Sequence, residues 1–283
     1  MARVHGIAGL DTATQGPGQH GKHRSASSAG RRAAQARQGR VADADQDAVF
    51  TKFAADYAAE HPGRAIALLQ AGCATAGPEL DLAALLATAP EVVISRIDED
   101  SPIVRAVVAS RPDLSGATLA ELRTLALAPR SVDLVQCSML LHRIRNAELV
   151  LDRLVAALRP GGLLLLRTVD GETAAGFLDR RLPEFARALA WGAAQPGLPG
   201  PFPACYEPIA SGRGIEAFVV RHGLAIAHRQ MCSGAGRAGR PNRLPAAQRL
   251  VTWLSRGRLD ASYDELRYVI RKPEDRYARV LSR

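Results

Sequence analysis

Apolar positions along this chain fall into short unbroken runs and longer periodic stretches, divided by Gly, Pro and charged clusters. The clearest succession lies at 131–167. Val132, Leu134, Val135 and Cys137 predict a short buried strand over 132–138. Leu149, Val150, Leu151, Leu154, Val155 and Leu158 recur at three- and four-residue spacing, which predicts a helix over 147–158 with Glu148, Asp152, Arg153 and Arg159 on its wet side. Pro160, Gly161 and Gly162 are expected to stop that helix and turn the chain. Leu163 to Leu166 are four consecutive leucines, too few for a helix, and predict a strand buried on both faces. Helices must then cover both sides of the sheet, and the strand–helix–strand unit is parallel and right-handed.

The same reading extends outward. Residues 48–61 predict an amphipathic helix whose Phe50, Phe53 and Tyr57 pack in the core. Residues 65–71 predict a buried strand, 72–77 a loop of small residues, and the stretch through Leu86 a helix, the geometry that lets backbone approach a nucleotide. A second strand is expected over 91–97 and a helix over 101–110, with Glu99 and Asp100 as acids of its first turn. Residues 174–191 read as helical with a break at Pro183, followed by a Pro/Gly loop over 195–203 that could serve as a lid. A helix over 212–222, a strand over 224–230, a Gly-rich basic loop over 233–240, a helix over 245–255 and a last strand over 263–272 complete the chain.

The stretch VDLVQCSMLLHRI…LDRLVAALRPGGLLLL resembles the second half of the class I S-adenosylmethionine-dependent methyltransferases, in the branch typified by methyltransferase type 11. The matching residues are Asp133 opening strand four, Cys137 with Ser138 ending it, the Leu141-His142 pair, and the turn Leu158-Arg159-Pro160-Gly161-Gly162. The resemblance implies a Rossmann-like, doubly wound α/β sheet of seven strands, mostly parallel with an antiparallel last pair. It implies a tail over 1–45, strands one to five within about 65–170, and a substrate or lid region with the final strand pair over 171–283. S-adenosyl-L-methionine is the implied cofactor, and the implied activity is methyl transfer to a small-molecule acceptor, natural-product or quinone-like.

The family's acid-x-Gly-x-Gly-x-Gly loop runs here as Gln70, Ala71, Gly72, Cys73, Ala74, Thr75, Ala76. One glycine keeps its place, and Gln70 keeps hydrogen-bonding capacity without the charge. The resemblance assigns cofactor contacts to Gln70, Gly72 and Ala74, to Cys137 and Ser138, and to Asp98 as acceptor of the ribose hydroxyls. Counting from Gly72 selects Arg96 for that last place instead. Glu121 would accept the adenine amino group, with the Leu122 N–H offered to the ring. His142 is the candidate general base, placed after strand four where open α/β sheets bind ligands. Tyr206 and Glu207 could line a substrate pocket, with loop surface the simpler expectation. A catalytically impaired binding protein on the same fold, or an enzyme acting on RNA or protein, are the alternatives.

Composition changes this picture in a few places. The 283 residues carry a net charge of +9, placed at the ends: seven Lys/Arg against three Asp/Glu over 1–46, and twelve against five over 237–283. Such ends suit an anionic partner, although a solvated arginine-rich surface is the simpler expectation. Residues 1–45 lack any apolar period and read as a disordered basic tail. The four cysteines stand far apart without a CxxC pair, so no metal site is expected, and Cys73 and Cys137 read as small buried hydrophobes. No apolar run reaches a membrane span and the start lacks the apolar region of a secretory signal, so a cytoplasmic location is expected.

Overall fold

A computed structural model describes residues 48–75, 80–194, 199–232, 245–256 and 258–274. All lie within one unit, Ala42–Arg283. The tail over 1–45, the basic loop over 233–240 and part of the 195–203 loop fall outside the described residues.

Seven strands form one sheet: β1 (Ile66–Ala71), β2 (Val92–Glu99), β3 (Thr118–Ala120), β4 (Val132–Ser138), β5 (Leu158–Val169), β6 (Ala225–Cys232) and β7 (Glu265–Arg271). Their order is β3-β2-β1-β4-β5-β7-β6. The first five run parallel, and β7 lies antiparallel between β5 and β6. The helices are α1 (48–60), α2 (Leu82–Thr88), α3 (Pro102–Ser110), α4 (Ala147–Ala157), α5 (Ala174–Arg181), α6 (Glu184–Ala194), α7 (Gly212–Arg221) and α8 (Pro245–Leu254).

The leucine run behaves as its composition demands. Leu163 and Leu165 face the cluster made with Phe50, Ala54 and Tyr57 of α1 and Leu85 of α2. Leu164 and Leu166 face the opposite cluster, with Val150, Leu151 and Leu154 of α4 and Ile215 and Phe218 of α7. Alternation along one strand thus feeds both layers, and each buried leucine contributes about 1.5–3 kcal/mol. The last strand differs from expectation: Leu266, Tyr268 and Ile270 are buried, and so are Glu265, Arg267 and Val269 on its other face.

The Pro160-Gly161-Gly162 segment is not a separate turn. Strand β5 starts at Leu158, paired with Val132, and its register shifts before Leu134 pairs with Leu163. Gly161 takes up the irregularity with φ +83°. Gly162 lies so close to β4 that a Cβ would stand 2.7 Å from the Asp133 carbonyl oxygen. Glycine is required there because two backbones touch.

At the amino-terminal edge of the sheet, Asp133 is fully buried and holds four elements together. Its carboxylate accepts from Tyr57 Oη at 3.0 Å, Arg64 Nη2 at 2.5 Å, the Ala67 N–H at 2.9 Å and Arg159 Nη1 at 2.5 Å. Burial, then the Asp133 charge, pushes the Tyr57 hydroxyl up to about 12.

Candidate functional site

Strand order reverses direction between β1 and β4, so the carboxyl ends of β1, β2 and β4 border the crevice where an open α/β sheet binds ligands. The loop after β1 opens at Gly72, with φ +82°. A Cβ there would fall 2.3 Å from the Ser138 carbonyl oxygen, so the neighbouring strand fixes this residue as glycine. Thr75 Oγ1 ties the loop back to the Gly72 and Ser138 carbonyls. Cys73 is buried, and its thiol is pushed up to about 11 by desolvation first and the Asp98 charge second. Cys137 and Ser138 are both buried at the end of β4, with Cys137 in register with Ala71.

Strand β2 runs two residues further than its apolar pattern predicts, through Asp98 and Glu99, and α3 is capped by the Ser101 hydroxyl with Pro102 in its first turn. Glu99 and Asp100 are therefore not acids of the α3 first turn. Alternation along β2 sends Asp98 and Glu99 to opposite faces. Asp98 is fully buried. Its oxygens accept from the Ala74 N–H at 2.9 Å, the Glu99 N–H at 2.7 Å and Arg143 Nη2 at 2.6 Å. Arg143, from the loop after β4, is buried as well, donates Nε to the Met139 carbonyl, and lies over the Phe202 ring at 4.9 Å. Phe202 packs with Ala74, Val104 and Val107. Phe202 thus packs on Ala74 of the loop after β1.

Gln70 and Arg96 sit side by side on β1 and β2. Gln70 donates Nε2 to Gln136 on β4 at 2.9 Å and accepts from Arg96 Nε at 3.1 Å. The three polar side chains bridge three adjacent strands, and Arg96 points to Gln70.

Between the ends of β2 and β3 and the loop after β4 lies an open cavity of 470 Å³ whose walls include Glu99, Glu121, Arg123, Arg143, Ile144, Arg145 and Cys205. Glu121 follows β3 in a turn, with a half-exposed side chain paired to Arg123 at 2.5 Å. The Leu122 N–H donates to Glu99 Oε2 at 2.9 Å, so this N–H is engaged within the chain. Glu99, which the apolar pattern leaves past the end of the second strand, is the β2 carboxylate facing the cavity. The signal that finds it is its place two residues ahead of the Ser101-Pro102 helix start.

His142 occupies a second part of the same edge. Its Nδ1 lies 3.3 Å from Thr168 Oγ1 on β5, and its ring is 5.5 Å from that of Tyr206. Its carbonyl accepts the N–H groups of Cys205 and Tyr206, which fastens the segment after Phe202 to the loop after β4. Tyr206 is not loop surface. It is buried, holds φ +48° and donates its hydroxyl to Asp179 of α5 at 2.8 Å. Glu207 caps α4, accepting from the Asn146 and Ala147 N–H groups. Left-handed backbone at a bulky residue costs about 1–3 kcal/mol and persists only where surrounding contacts impose it. Among the described residues no group of His, Cys, Asp and Glu is arranged to hold a metal ion.

Residues 69–166 match the family model described as a methyltransferase domain. Over this segment the chain is similar to that domain, in line with the motifs it carries. The matched residues run from Leu69 in β1 to the fourth leucine of β5 and contain the carboxyl ends of β1, β2 and β4. Among solved structures, an S-adenosylmethionine-dependent methyltransferase from Mesorhizobium loti is 19% identical, with 74% of this chain and 91% of that chain covered and a TM-score of 0.40. The YcgJ protein from Bacillus subtilis is 15% identical over 81% and 99% of the two chains, with a TM-score of 0.45. The N-methyltransferase NodS from Bradyrhizobium japonicum is 15% identical over 79% and 94%, with a TM-score of 0.41. No curated protein matches this chain.

S-adenosylmethionine is the cofactor that this match indicates. The crevice fits the nucleoside end of that molecule, because the Glu99 and Glu121 carboxylates, acceptors by nature, line a cavity at the ends of β2 and β3. The fit is poorer at the amino-acid end: Gln70 brings no charge to it and spends its amide on Gln136 and Arg96.

Proposed function

We infer that this protein transfers a methyl group from S-adenosylmethionine to a small-molecule acceptor. The observation that carries the reading is the cavity between the ends of β2 and β3 and the loop after β4, walled by Glu99 and Glu121, with His142 in that same loop. In this reading Glu99 accepts the ribose hydroxyls, in the role that the sequence gives to Asp98, and Glu121 accepts the adenine amino group. Gly72, Ala74, Cys137 and Ser138 form the floor of the crevice. The bound cofactor supplies an already activated methyl group, so the chain's part is orientation and exclusion of water. His142 serves as the base that takes a proton from an oxygen or nitrogen acceptor, with Thr168 at Nδ1 orienting the ring.

A second reading, a catalytically impaired binding protein on this fold, is favoured by one specific arrangement. Phe202, with Arg143 over its ring, packs on Ala74 of the loop after β1, and Gln70 is held by its neighbours. Calorimetric titration of the full chain with S-adenosylmethionine and S-adenosylhomocysteine separates the two. Micromolar binding, followed by transfer of labelled methyl to an extractable small molecule, supports the enzyme. Absence of binding at millimolar cofactor supports the binding protein, and label on RNA or protein alone moves the acceptor class.

A further inference from the structure

The link between β6 and β7 has a charge pattern unlike the rest of the chain. Residues 233–259 hold six arginines, Arg237, Arg240, Arg243, Arg249, Arg256 and Arg258, and no Asp, Glu or Lys. Within this link, α8 carries Leu250, Trp253 and Leu254 at three- and four-residue spacing, which puts them on one face. The apolar stripe of a surface helix normally faces the core. Here the three side chains are 54%, 75% and 64% exposed. Arg256 and Arg258, just past the helix, are exposed too and make no ion pair among the described residues.

The place of α8 in the fold matters as much as its surface. Strand β6 is parallel to β5, because both run antiparallel to β7, so α8 stands at the carboxyl edge that holds the candidate site. It packs against α5, and the chain after it is fastened by the Ala174 N–H donating to the Asp260 carbonyl at 2.8 Å. On α6, which leaves the same edge, Phe185 and Leu189 form another exposed pair one turn apart.

We propose that α8 docks this protein on an anionic phospholipid surface. The stripe of Leu250, Trp253 and Leu254 enters the boundary between headgroups and acyl chains, and Arg256 and Arg258 meet the lipid phosphates. The exposed tryptophan and leucines distinguish this occupant from a nucleic acid, whose phosphates would need the arginines alone. A second copy of the chain would set one acid-free arginine block against another, which like-charge repulsion disfavours. None of this depends on which molecule is methylated.

Flotation of the full chain with vesicles tests the proposal. The protein is expected to float with phosphatidylcholine vesicles containing phosphatidylglycerol and to stay behind with phosphatidylcholine alone, with partitioning that weakens as salt rises. Leu250→Ser with Leu254→Ser should abolish flotation, and unchanged thermal unfolding would show that these exposed sites leave the fold intact. Arg256→Ala with Arg258→Ala should weaken partitioning about 25-fold, at roughly 1 kcal/mol for each charge near the surface. The chain has two tryptophans, so Trp191→Phe leaves Trp253 as sole reporter, and its emission should shift to the blue on anionic vesicles alone. The proposal is overturned if the wild type fails to float with anionic vesicles, or if the serine variant floats equally well. It is also overturned if Trp253 emission does not move, or if Trp253 is covered in a stable dimer or by RNA instead.

Discussion

Arg143 closes a 2.6 Å ion pair with Asp98, joining the loop after β4 to the end of β2 with both side chains removed from solvent. The geometry is that of a strut: the carboxylate also holds the Ala74 N–H, and the guanidinium also holds the Met139 carbonyl. Removing one partner strands a buried charge, which costs about 3–5 kcal/mol. Asp98→Ala is therefore expected to lower the unfolding free energy by that order, read by urea denaturation. A stability within about 1 kcal/mol of wild type together with lost cofactor binding would instead make Asp98 a ligand-contacting acid.

Glu99 and Glu121 give a contrasting expectation. Each faces the cavity, so Glu99→Gln and Glu121→Gln should leave the fold nearly as stable while weakening cofactor binding. A charge-assisted hydrogen bond is worth about 1.5–3 kcal/mol, or roughly tenfold or more in affinity. Calorimetry on the two variants checks this. Unchanged affinity in both would remove the carboxylates from the site.

His142 is tested by its pH profile. With an acceptor in hand, His142→Ala should lower kcat by about 100-fold or more and abolish the acidic limb of the rate profile. If turnover persists with the same limb, the base lies elsewhere or the acceptor needs none.

Asp133 should be the costliest single carboxylate on the opposite edge. Its four partners come from α1, the α1–β1 loop, β1 and β5. Asp133→Ala is expected to cost about 3–5 kcal/mol, and Tyr57→Phe about 1 kcal/mol. Both are measurable by denaturant titration with cofactor absent.

Alkaline pH should destabilise the fold. The Cys73 thiol is pushed from its ordinary 9 to about 11 and the Tyr57 hydroxyl from 10 to about 12, so the native state holds protons that the unfolded chain releases. Stability is then intact below pH 9 and falls as pH rises through 11 and 12. Cys73→Ala should flatten the first part of the decline. Cys73 should also resist alkylation at pH 8, where the half-buried Cys205 reacts first.

Much of this fold is written in local pattern. The apolar run over 132–138, the periodicity of α4 and the four leucines each give their element because one face or both must be buried. The Pro160-Gly161-Gly162 segment misleads, since glycines that usually turn a chain here let β5 press against the Asp133 backbone. Motif matching selects Asp98 and strict spacing selects Arg96, and neither points to Glu99, because adjacent acids in one strand differ only by the face they take and pleat direction is set by pairing with β1 and β3. No local signal announces that Arg143, in an arginine-rich chain, is buried beneath Phe202 59 residues later. Tyr206 is hidden for the same reason: its burial comes from His142 and Asp179, neither near it in sequence.

Strand β5 has a further consequence during synthesis. Its partner β4 precedes it closely, but β7, which pairs Leu166 with Tyr268, follows about 100 residues later. At roughly 5–20 residues per second, a ribosome exposes the Leu163–Leu166 edge for about 5–20 s before its cover emerges. For that interval the nascent chain offers an open strand of four leucines to any neighbour able to pair with it. Holding that edge is the task the chain sets for cellular chaperones, and it ends only when Glu265–Arg271 leaves the exit tunnel.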